Sequence, residues 1–244
     1  MNESFSDLIL DEQRIGESSS QYAYRILFHN IMYFNLLPGE IINDSALTDV
    51  LKISRTPIRE AIFRLREDGL IDIYAKNKTI VSYIDYQLLE EGLFIRASLE
   101  SAVIKDLCGN LNESYKSRLD ENLKIQCLFA KEEELKIRFF EYDNDFHHLL
   151  FLACNKNWAW QILQKACTQL NRVRYMNISA KENIEGEDNI ISNLYEDHHL
   201  LFKAIVENNP QDVDNLIAKH INRQLLNKWR IPGGELSRYI INIK

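Results

Sequence analysis

The chain has 244 residues, of which 45% are hydrophobic and 27% charged, so it is long enough for one large domain or two smaller ones. Its net charge of -7 argues weakly against a protein that binds nucleic acid over its whole surface, and no apolar run is long enough to span a membrane or to form a signal peptide. Only 8 Gly and 4 Pro favour long helices. Four cysteines without a Cys-x-x-Cys pair indicate reduced thiols in a cytoplasmic protein.

The first predicted elements are two helices. Residues 1–17 are polar and unpatterned, and we expect them to form a flexible N-terminal segment. An amphipathic helix follows over about 18–35. A shorter helix, capped by Asn43 or Asp44, then runs to about Leu51.

A third helix and a hairpin follow. Ser54 is the predicted cap of the helix, and Gly69 ends it in the left-handed conformation. Two short β-prone runs, 70–74 and 79–84, then suggest a hairpin. The order helix, helix, turn, helix, hairpin predicts a winged helix-turn-helix domain over 18–85.

After residue 85 the pattern is entirely helical. Six amphipathic helices are predicted, at about 86–107, 112–131, 133–153, 157–180, 188–208 and 211–229. We therefore assign 86–230 to an all-α helical bundle and 231–244 to a C-terminal tail. The predicted fold class is mainly α, with an N-terminal winged helix-turn-helix, a small β-hairpin wing and a helical-bundle domain.

The third helix and the hairpin carry a local excess of positive charge. Residues 52–78 hold seven basic and four acidic side chains, a net charge of +3 inside an acidic chain. The first turns of a reading helix enter the major groove, where Arg and hydroxyl groups reach bases and phosphates. The pattern alone also fits a solvated basic face. The candidate DNA contacts are Ser54, Arg55, Thr56 and Arg59 on the helix, and Lys76, Asn77 and Lys78 at the hairpin tip.

Four side chains on three later helices suggest a metal site. Asp143 and His147 are four residues apart on one helix, so both can reach a single ion. His198 and His220 lie on the apolar faces of the next two helices that carry histidines. One carboxylate and three imidazoles suit Zn²⁺, Ni²⁺, Mn²⁺ or Fe²⁺, with Zn²⁺ as the first expectation. Histidines that are simply hydrogen-bonded in a core are the alternative.

The segment around the third helix carries a specific motif. Its parts are Leu37-Pro-Gly-Glu40, Leu47-x3-Leu51, Ile53-Ser-Arg-Thr-Pro-Ile-Arg-Glu-Ala61 and Leu65-x3-Gly69-Leu70. From about residue 20 to 85 this pattern resembles the DNA-binding domain of GntR-family bacterial repressors. The resemblance implies that Ser54, Arg55, Thr56 and Arg59 contact DNA. Lys52 and Lys78 depart from the family, which usually has Gly at both positions, so Lys52 must make the turn at some cost.

The second half of the chain carries further family motifs. Arg96-x2-Leu99-Glu100, Asp143-x2-Phe146-His147, and His198 followed 22 residues later by His220 resemble the FCD effector domain of FadR-type GntR proteins. The resemblance covers about 86–228 and makes this bundle the effector and dimerisation domain. Six helices rather than seven are closer to its VanR-type variant.

The same resemblance assigns roles to the residues of these motifs. Asp143, His147, His198 and His220 would bind a divalent metal, and Arg96 would help to hold an anionic effector. A small carboxylate suits both groups, because it can complete the metal's coordination and pair with the guanidinium. Arg172 and Arg174 are further candidates for the effector cavity. Without the resemblance, an ion pair between Arg96 and Glu100 at the surface is the plain interpretation.

Three functions are consistent with these features. The first is a homodimeric, cytoplasmic transcriptional repressor that binds double-stranded operator DNA and responds to a small carboxylate, with no membrane partner. The second is a metal-dependent enzyme. The sequence places no separate general base beside the ligands, which argues against this function. The third is a structural or vestigial metal site. We expect the first, and therefore no enzymatic activity.

Overall fold

A computed structural model of the protein describes residues 5, 8–75, 78–130, 136–179, 190–224 and 235–242. These residues form two compact units. The first contains the described residues up to Leu89, together with Thr168–Ser179 and the described residues after Ile231. The second contains the described residues of Glu90–Cys167 and of 180–230. Within these parts of the chain, no helix has the length and apolar character needed to cross a bilayer.

The first unit confirms the predicted winged helix-turn-helix. Its elements are α1 (Ser19–Met32), α2 (Asp44–Leu51), α3 (Arg55–Glu67), β1 (Ile71–Tyr74) and β2 (Lys78–Val81). The strands β1 and β2 pair antiparallel, with Ile71 opposite Val81, and form the wing. Buried Ile58, Ile62 and Leu65 on α3 pack into a core shared with α1 and α2. The 3.6-residue spacing of these three side chains is what places α3 on the core by one face only.

Local caps explain where these elements start and stop. Asn43 begins α2 by accepting hydrogen bonds from the backbone N–H groups of Ser45 and Ala46. Lys52 ends α2 with a φ of +57°, so a lysine adopts the left-handed conformation that the sequence requires there. Gly69 has a φ of +72° just after α3, as predicted.

Residues before α1 make specific contacts with that helix. The amide of buried Asn30 bonds the backbone N–H and carbonyl of Ile9. Glu17 pairs with Arg25 at 2.8 Å. Residues 1–17 were expected to form a flexible segment, whereas Ile9 and Glu17 are attached to α1 by these contacts.

Two distant segments complete the first unit. The short strand β3 (Ile84–Asp85) pairs in parallel with β4 (Ile240–Ile241), which lies in the stretch predicted as a tail. Helix α8 (Thr168–Ser179) also belongs to this unit, although the sequence analysis placed it in the 86–230 bundle. The predicted division near residue 85 lies close to the observed break after Leu89. It does not include α8 and β4, the two later segments that also belong to the first unit.

The described chain after residue 85 has seven α-helices rather than six. They are α4 (Tyr86–Leu107), α5 (Glu113–Phe129), α6 (Lys136–Ala153), α7 (Asn157–Ala166), α8, α9 (Ile190–Val206) and α10 (Val213–Gln224). The predicted helix 157–180 is wrong, because it is interrupted at Cys167, whose φ of -92° and ψ of 11° end α7. Seven helices remove the argument for the six-helix, VanR-type variant.

The interruption coincides with a close approach between α4 and the end of α7. A Cβ at Gly92 would lie 2.8 Å from the carbonyl oxygen of Ala166, so only glycine fits there. The thiol of Cys167 points to the carbonyl of Gly92, at 3.5 Å. Neither glycine nor proline marks the break at Cys167 itself, so the sequence gives no local signal for it.

Candidate DNA-reading helix and candidate metal centre

The predicted DNA contacts on α3 lie on the face of the helix that points away from the core. Ser54, Arg55, Thr56 and Arg59 are all exposed, whereas Ile58 is fully buried. Ser54 is the residue before the helix, but its side chain makes no capping hydrogen bond, so the predicted side-chain cap is wrong. This hydroxyl is therefore not engaged by the helix that it precedes.

Residues at the start of α2 hold both arginines of the reading helix. An Nη of Arg55 donates to the hydroxyl of Ser45 at 2.6 Å. Nε of Arg59 lies 2.9 Å from a carboxylate oxygen of Asp44. Both arginines remain exposed, and an exposed pair of this kind contributes little to stability, so DNA phosphates can compete for these guanidinium groups.

The wing tip is described in part. Lys78 begins β2 and is exposed. Lys76 and Asn77, the other two predicted wing contacts, lie outside the described residues. Lys78 thus offers a positive charge on the wing of the unit that carries α3.

The structure brings the four predicted metal ligands together inside the second unit. Asp143 and His147 come from α6, His198 from α9 and His220 from α10, and all four are buried. Each offers one ligand atom, and these four atoms lie within 4.8 Å of one another. Three separate helices therefore place one carboxylate and three imidazoles around a common centre, which is the size and chemistry of a divalent metal site.

Neighbouring side chains determine which ring nitrogens face this centre. Nδ1 of His198 donates to Oε1 of Gln126 at 2.7 Å. Nε2 of Gln126 donates to Asn122 at 2.7 Å, which fixes the orientation of the amide. Since Nδ1 of His198 carries the proton, its Nε2 carries a lone pair, and that atom lies 3.5 Å from Asp143 Oδ1.

In His147, as in His198, a neighbouring side chain contacts Nδ1 and leaves Nε2 to face the centre. Its Nδ1 lies 3.2 Å from Oε2 of Glu100, and a carboxylate at that distance favours the proton on Nδ1. Its Nε2 then also carries a lone pair, and it lies 3.2 Å from Nε2 of His198. Two lone pairs that face each other over this distance repel, unless a proton or a cation lies between them.

Burial lowers the pKa of His198 to about 3, although the charge of Asp143 acts in the opposite direction. The imidazole is therefore neutral at neutral pH, which is the form that binds metals.

Arg96 lies inside the second unit rather than at its surface. Its Nε donates to Oε1 of Glu100 at 2.7 Å, and both side chains are almost completely buried. The expected i, i+4 ion pair with Glu100 thus forms, but the surface position is wrong. Burial would raise the pKa of Glu100, but the charge of Arg96 and the contact with His147 outweigh it and lower the pKa to about 2. Glu100 is therefore an anion that contacts both the predicted effector-binding arginine and a predicted metal ligand.

Three further residues around this centre were not predicted from the sequence. Glu100 was quoted only as part of a motif or as a surface partner, and Gln126 was not singled out. Asp197 is buried next to His198 and pairs with Lys219 at 3.3 Å and Arg223 at 2.7 Å, which ties α9 to α10. Asp197 can be predicted only when the register between α9 and α10 is known.

Arg172, an additional candidate for the effector cavity, is wrong for that role. It belongs to α8 in the first unit, where it is fully buried and bonds the carbonyl of Ser82 at 2.8 Å. Arg174 is also on α8, and one Nη donates to Asn171 at 3.2 Å. Both arginines therefore belong with the winged helix-turn-helix unit.

Relatives of the chain are transcriptional regulators. The chain is 29% identical over 202 residues to the HTH-type transcriptional repressor RspR of Escherichia coli K12, which covers 83% of this chain and 85% of that protein. It is 25% identical over 195 residues to an HTH-type transcriptional regulator from Streptomyces ambofaciens, covering 80% and 78% of the two chains.

Solved structures share the fold. E. coli McbR/YncC superposes with a TM-score of 0.72 at 18% identity, covering 88% of this chain and 99% of that one. A GntR regulator from Rhodococcus gives a TM-score of 0.63 at 19% identity, covering 83% and 93%.

A family model described as gntR-family bacterial regulatory proteins matches residues 19–81, and one described as the FCD domain matches 91–223, which is more than half of the chain. The chain therefore belongs to the GntR family of transcriptional regulators and carries an FCD domain.

Proposed function

We propose that this regulator is a homodimeric, cytoplasmic repressor whose binding to operator DNA is controlled by a small carboxylate, and that the carboxylate binds at a divalent metal in the second unit. The observation that carries the proposal is the buried centre formed by Asp143, His147, His198 and His220. The relative RspR is named a repressor, which supports repression rather than activation by this regulator.

The donor set fits a divalent transition metal. A buried centre of three imidazoles and one carboxylate leaves the Nε2 lone pairs of His147 and His198 without a cation to bind unless a metal is present. A bound Zn²⁺, Ni²⁺, Mn²⁺ or Fe²⁺ would supply a positive charge and coordination positions for an anionic ligand. Glu100 and Gln126 hold the two rings in the orientation that such an ion needs.

Arg96 provides the second half of the proposed effector site. Its Nε is engaged by Glu100, which fixes the side chain beside the centre. The planar guanidinium has further N–H donors, which suit a carboxylate by their geometry. Effector selectivity then depends on a match between the carboxylate and a guanidinium whose orientation Glu100 sets.

DNA binding is assigned to the exposed face of α3 and to the wing. Arg55, Arg59 and Lys78 present positive charge on one unit of an otherwise acidic chain. In a two-fold dimer, two such units read the halves of a palindromic operator. A carboxylate controls this binding only if its affinity differs between the DNA-bound and free states of the dimer.

The structure gives less support to a metal-dependent enzyme. Glu100 is a further carboxylate beside the centre, and it already contacts both Arg96 and His147. A general base must be able to accept a proton from a substrate or water, and the pKa of Glu100, at about 2, is far too low for that role at neutral pH.

The test measures metal, effector and DNA together. Duplexes selected by the protein from a random pool serve as the operator, and native mass spectrometry reports bound metal and dimer. We expect a panel of mono- and dicarboxylates to contain one that changes operator affinity about 5- to 150-fold in the metal-loaded dimer and not after chelation. A protein that purifies without metal, takes up none, and responds to no carboxylate would contradict the proposal.

A further inference from the structure

Arg172 is a fully buried cation in the first unit, and its position calls for an explanation. None of its side chain is exposed, and burial lowers the pKa of the guanidinium to about 10, so it stays charged at neutral pH. Among the described residues it forms no salt bridge with a carboxylate. A buried charge without an ionic partner is costly, so its hydrogen bonds must hold it in place.

Those hydrogen bonds converge on the segment that follows the wing. One Nη of Arg172 donates to the backbone carbonyl of Ser82 at 2.8 Å, and the other donates to the hydroxyl of Ser82 at 3.0 Å. The same hydroxyl donates to the carbonyl of Gly69 at 2.7 Å. Gln169, one turn before Arg172 on α8, also donates to that carbonyl, at 3.4 Å.

Ser82 and Gly69 are the residues at which the wing and the reading helix end. Ser82 directly follows β2, and its N–H donates to the carbonyl of Leu70 at 3.0 Å. Gly69 turns the chain from α3 into β1 with a φ of +72°. One buried network therefore connects the C-terminal end of α3, the end of β2 and helix α8.

We propose that Arg172 is a positioning residue for DNA binding, which fixes the wing relative to the reading helix from a helix that lies about 90 residues later in the chain. The wing residue Lys78 begins β2, and Ser82 directly follows the end of that strand, so a change at this anchor alters where the charge of Lys78 lies relative to Arg55 and Arg59. This inference rests on the DNA-binding part of the proposed function and is independent of the metal.

The test compares variants of the full chain. Arg172→Met keeps an unbranched apolar stem, which is shorter than arginine by the guanidinium end, and removes all its donors; Ser82→Ala removes the shared hydroxyl. Val173→Ala is the matched control, because Val173 is buried on the same helix but contributes no polar group to the network. Affinity for the selected duplex is measured by fluorescence anisotropy at a temperature where each variant is folded.

We expect Arg172→Met to bind the duplex roughly tenfold more weakly, and Val173→Ala to bind as the parent does even if its melting temperature falls. Ser82→Ala added to Arg172→Met should weaken binding less than it does alone, because both act through one network. Hydrogen exchange should accelerate at the N–H of Val81 and Ser82 and stay unchanged at Leu47 in α2.

The result that overturns the inference is specific. If Arg172→Met and Val173→Ala bind the duplex equally well, Arg172 only supports the fold. If Arg172→Met does not fold, Arg172→Lys and Ser82→Ala are tested instead. We expect both variants to bind the duplex more weakly than the parent. If both bind as the parent does, Arg172 does not position the wing. A parent that binds no duplex would instead contradict the DNA-binding assignment itself.

Discussion

Glu100 on α4 and His147 on α6 form a buried pair, in which a carboxylate oxygen lies 3.2 Å from Nδ1 of the imidazole. The other carboxylate oxygen of Glu100 accepts from Arg96 at 2.7 Å. One anion thus contacts a guanidinium that we assign to effector binding and a ring that we assign to metal binding. Such an arrangement couples the two groups through a single side chain.

Glu100→Gln should weaken metal binding about 10- to 100-fold, because a neutral amide can still accept from Nδ1 of His147 but no longer supplies the negative charge that makes Nε2 of that ring a stronger ligand. Glu100→Ala should in addition destabilise the fold by about 3–5 kcal/mol, since it removes the carboxylate that pairs with the buried guanidinium of Arg96. Competition with a chromophoric chelator measures the first effect and thermal unfolding the second. Glu113→Gln, at an exposed site on α5, is the control, and equal metal affinity in Glu100→Gln would contradict this role.

Arg55→Ala and Arg59→Ala should each weaken operator binding and lower the slope of log affinity against log salt by about 1, if each guanidinium contacts one phosphate. Gel-shift titrations at several salt concentrations report both quantities. Arg118→Ala removes an exposed arginine from α5 in the other unit and should change neither. An unchanged salt slope in both α3 variants would remove them from the phosphate contacts.

Removal of metal should lower the melting temperature of the parent. At a free metal concentration of 100 times the Kd, binding stabilises the folded state by about 2.7 kcal/mol, and chelation removes that contribution. The double variant with His198→Ala and His220→Ala should contain no metal by elemental analysis and should not respond to chelator. His148→Ala is the control, because His148 is half-buried and bonds Asn157 rather than facing the centre. A chelator response in the double variant would show that the metal binds elsewhere.

Lys52→Gly should stabilise the first unit. Lysine at a φ of +57° is strained by about 1–2 kcal/mol, whereas glycine adopts this conformation freely. The greater freedom of glycine in the unfolded chain offsets about 0.4–1 kcal/mol of this gain. Thermal or urea unfolding should therefore show a net gain of up to about 1.6 kcal/mol. Lys124→Gly, inside helix α5, should have the opposite sign, and destabilisation by Lys52→Gly would show that the lysine makes a compensating contact.

The winged helix-turn-helix was predictable because its signals are local. Asn43 caps α2, Gly69 follows α3, and the stripe that contains Ile58 repeats with the period of a helix. The four candidate metal ligands were also predictable, since each lies on the apolar face of its own helix. Features that depend on a single helix can therefore be predicted from the local sequence pattern.

The remaining features depend on which helices are neighbours. Nothing in the local sequence at Cys167 marks the end of α7, and the close approach of Gly92 beside it involves another helix. Gln126 becomes important only when His198 lies next to it. Arg172 was a further candidate for the effector cavity, whereas its acceptors are on Ser82, 90 residues earlier.

The parallel pairing of Ile84 with Ile240 means that the DNA-binding unit is assembled from three separate stretches of chain. A fragment that stops at residue 89 would lack both β4 and Arg172, and Ile84 would lose its strand partner. The two halves of this regulator are therefore not modules that a single cut can separate or a simple fusion can exchange. A chimera meant to give this wing and reading helix a different sensor would have to carry Thr168–Ser179 and residues 235–242 with them.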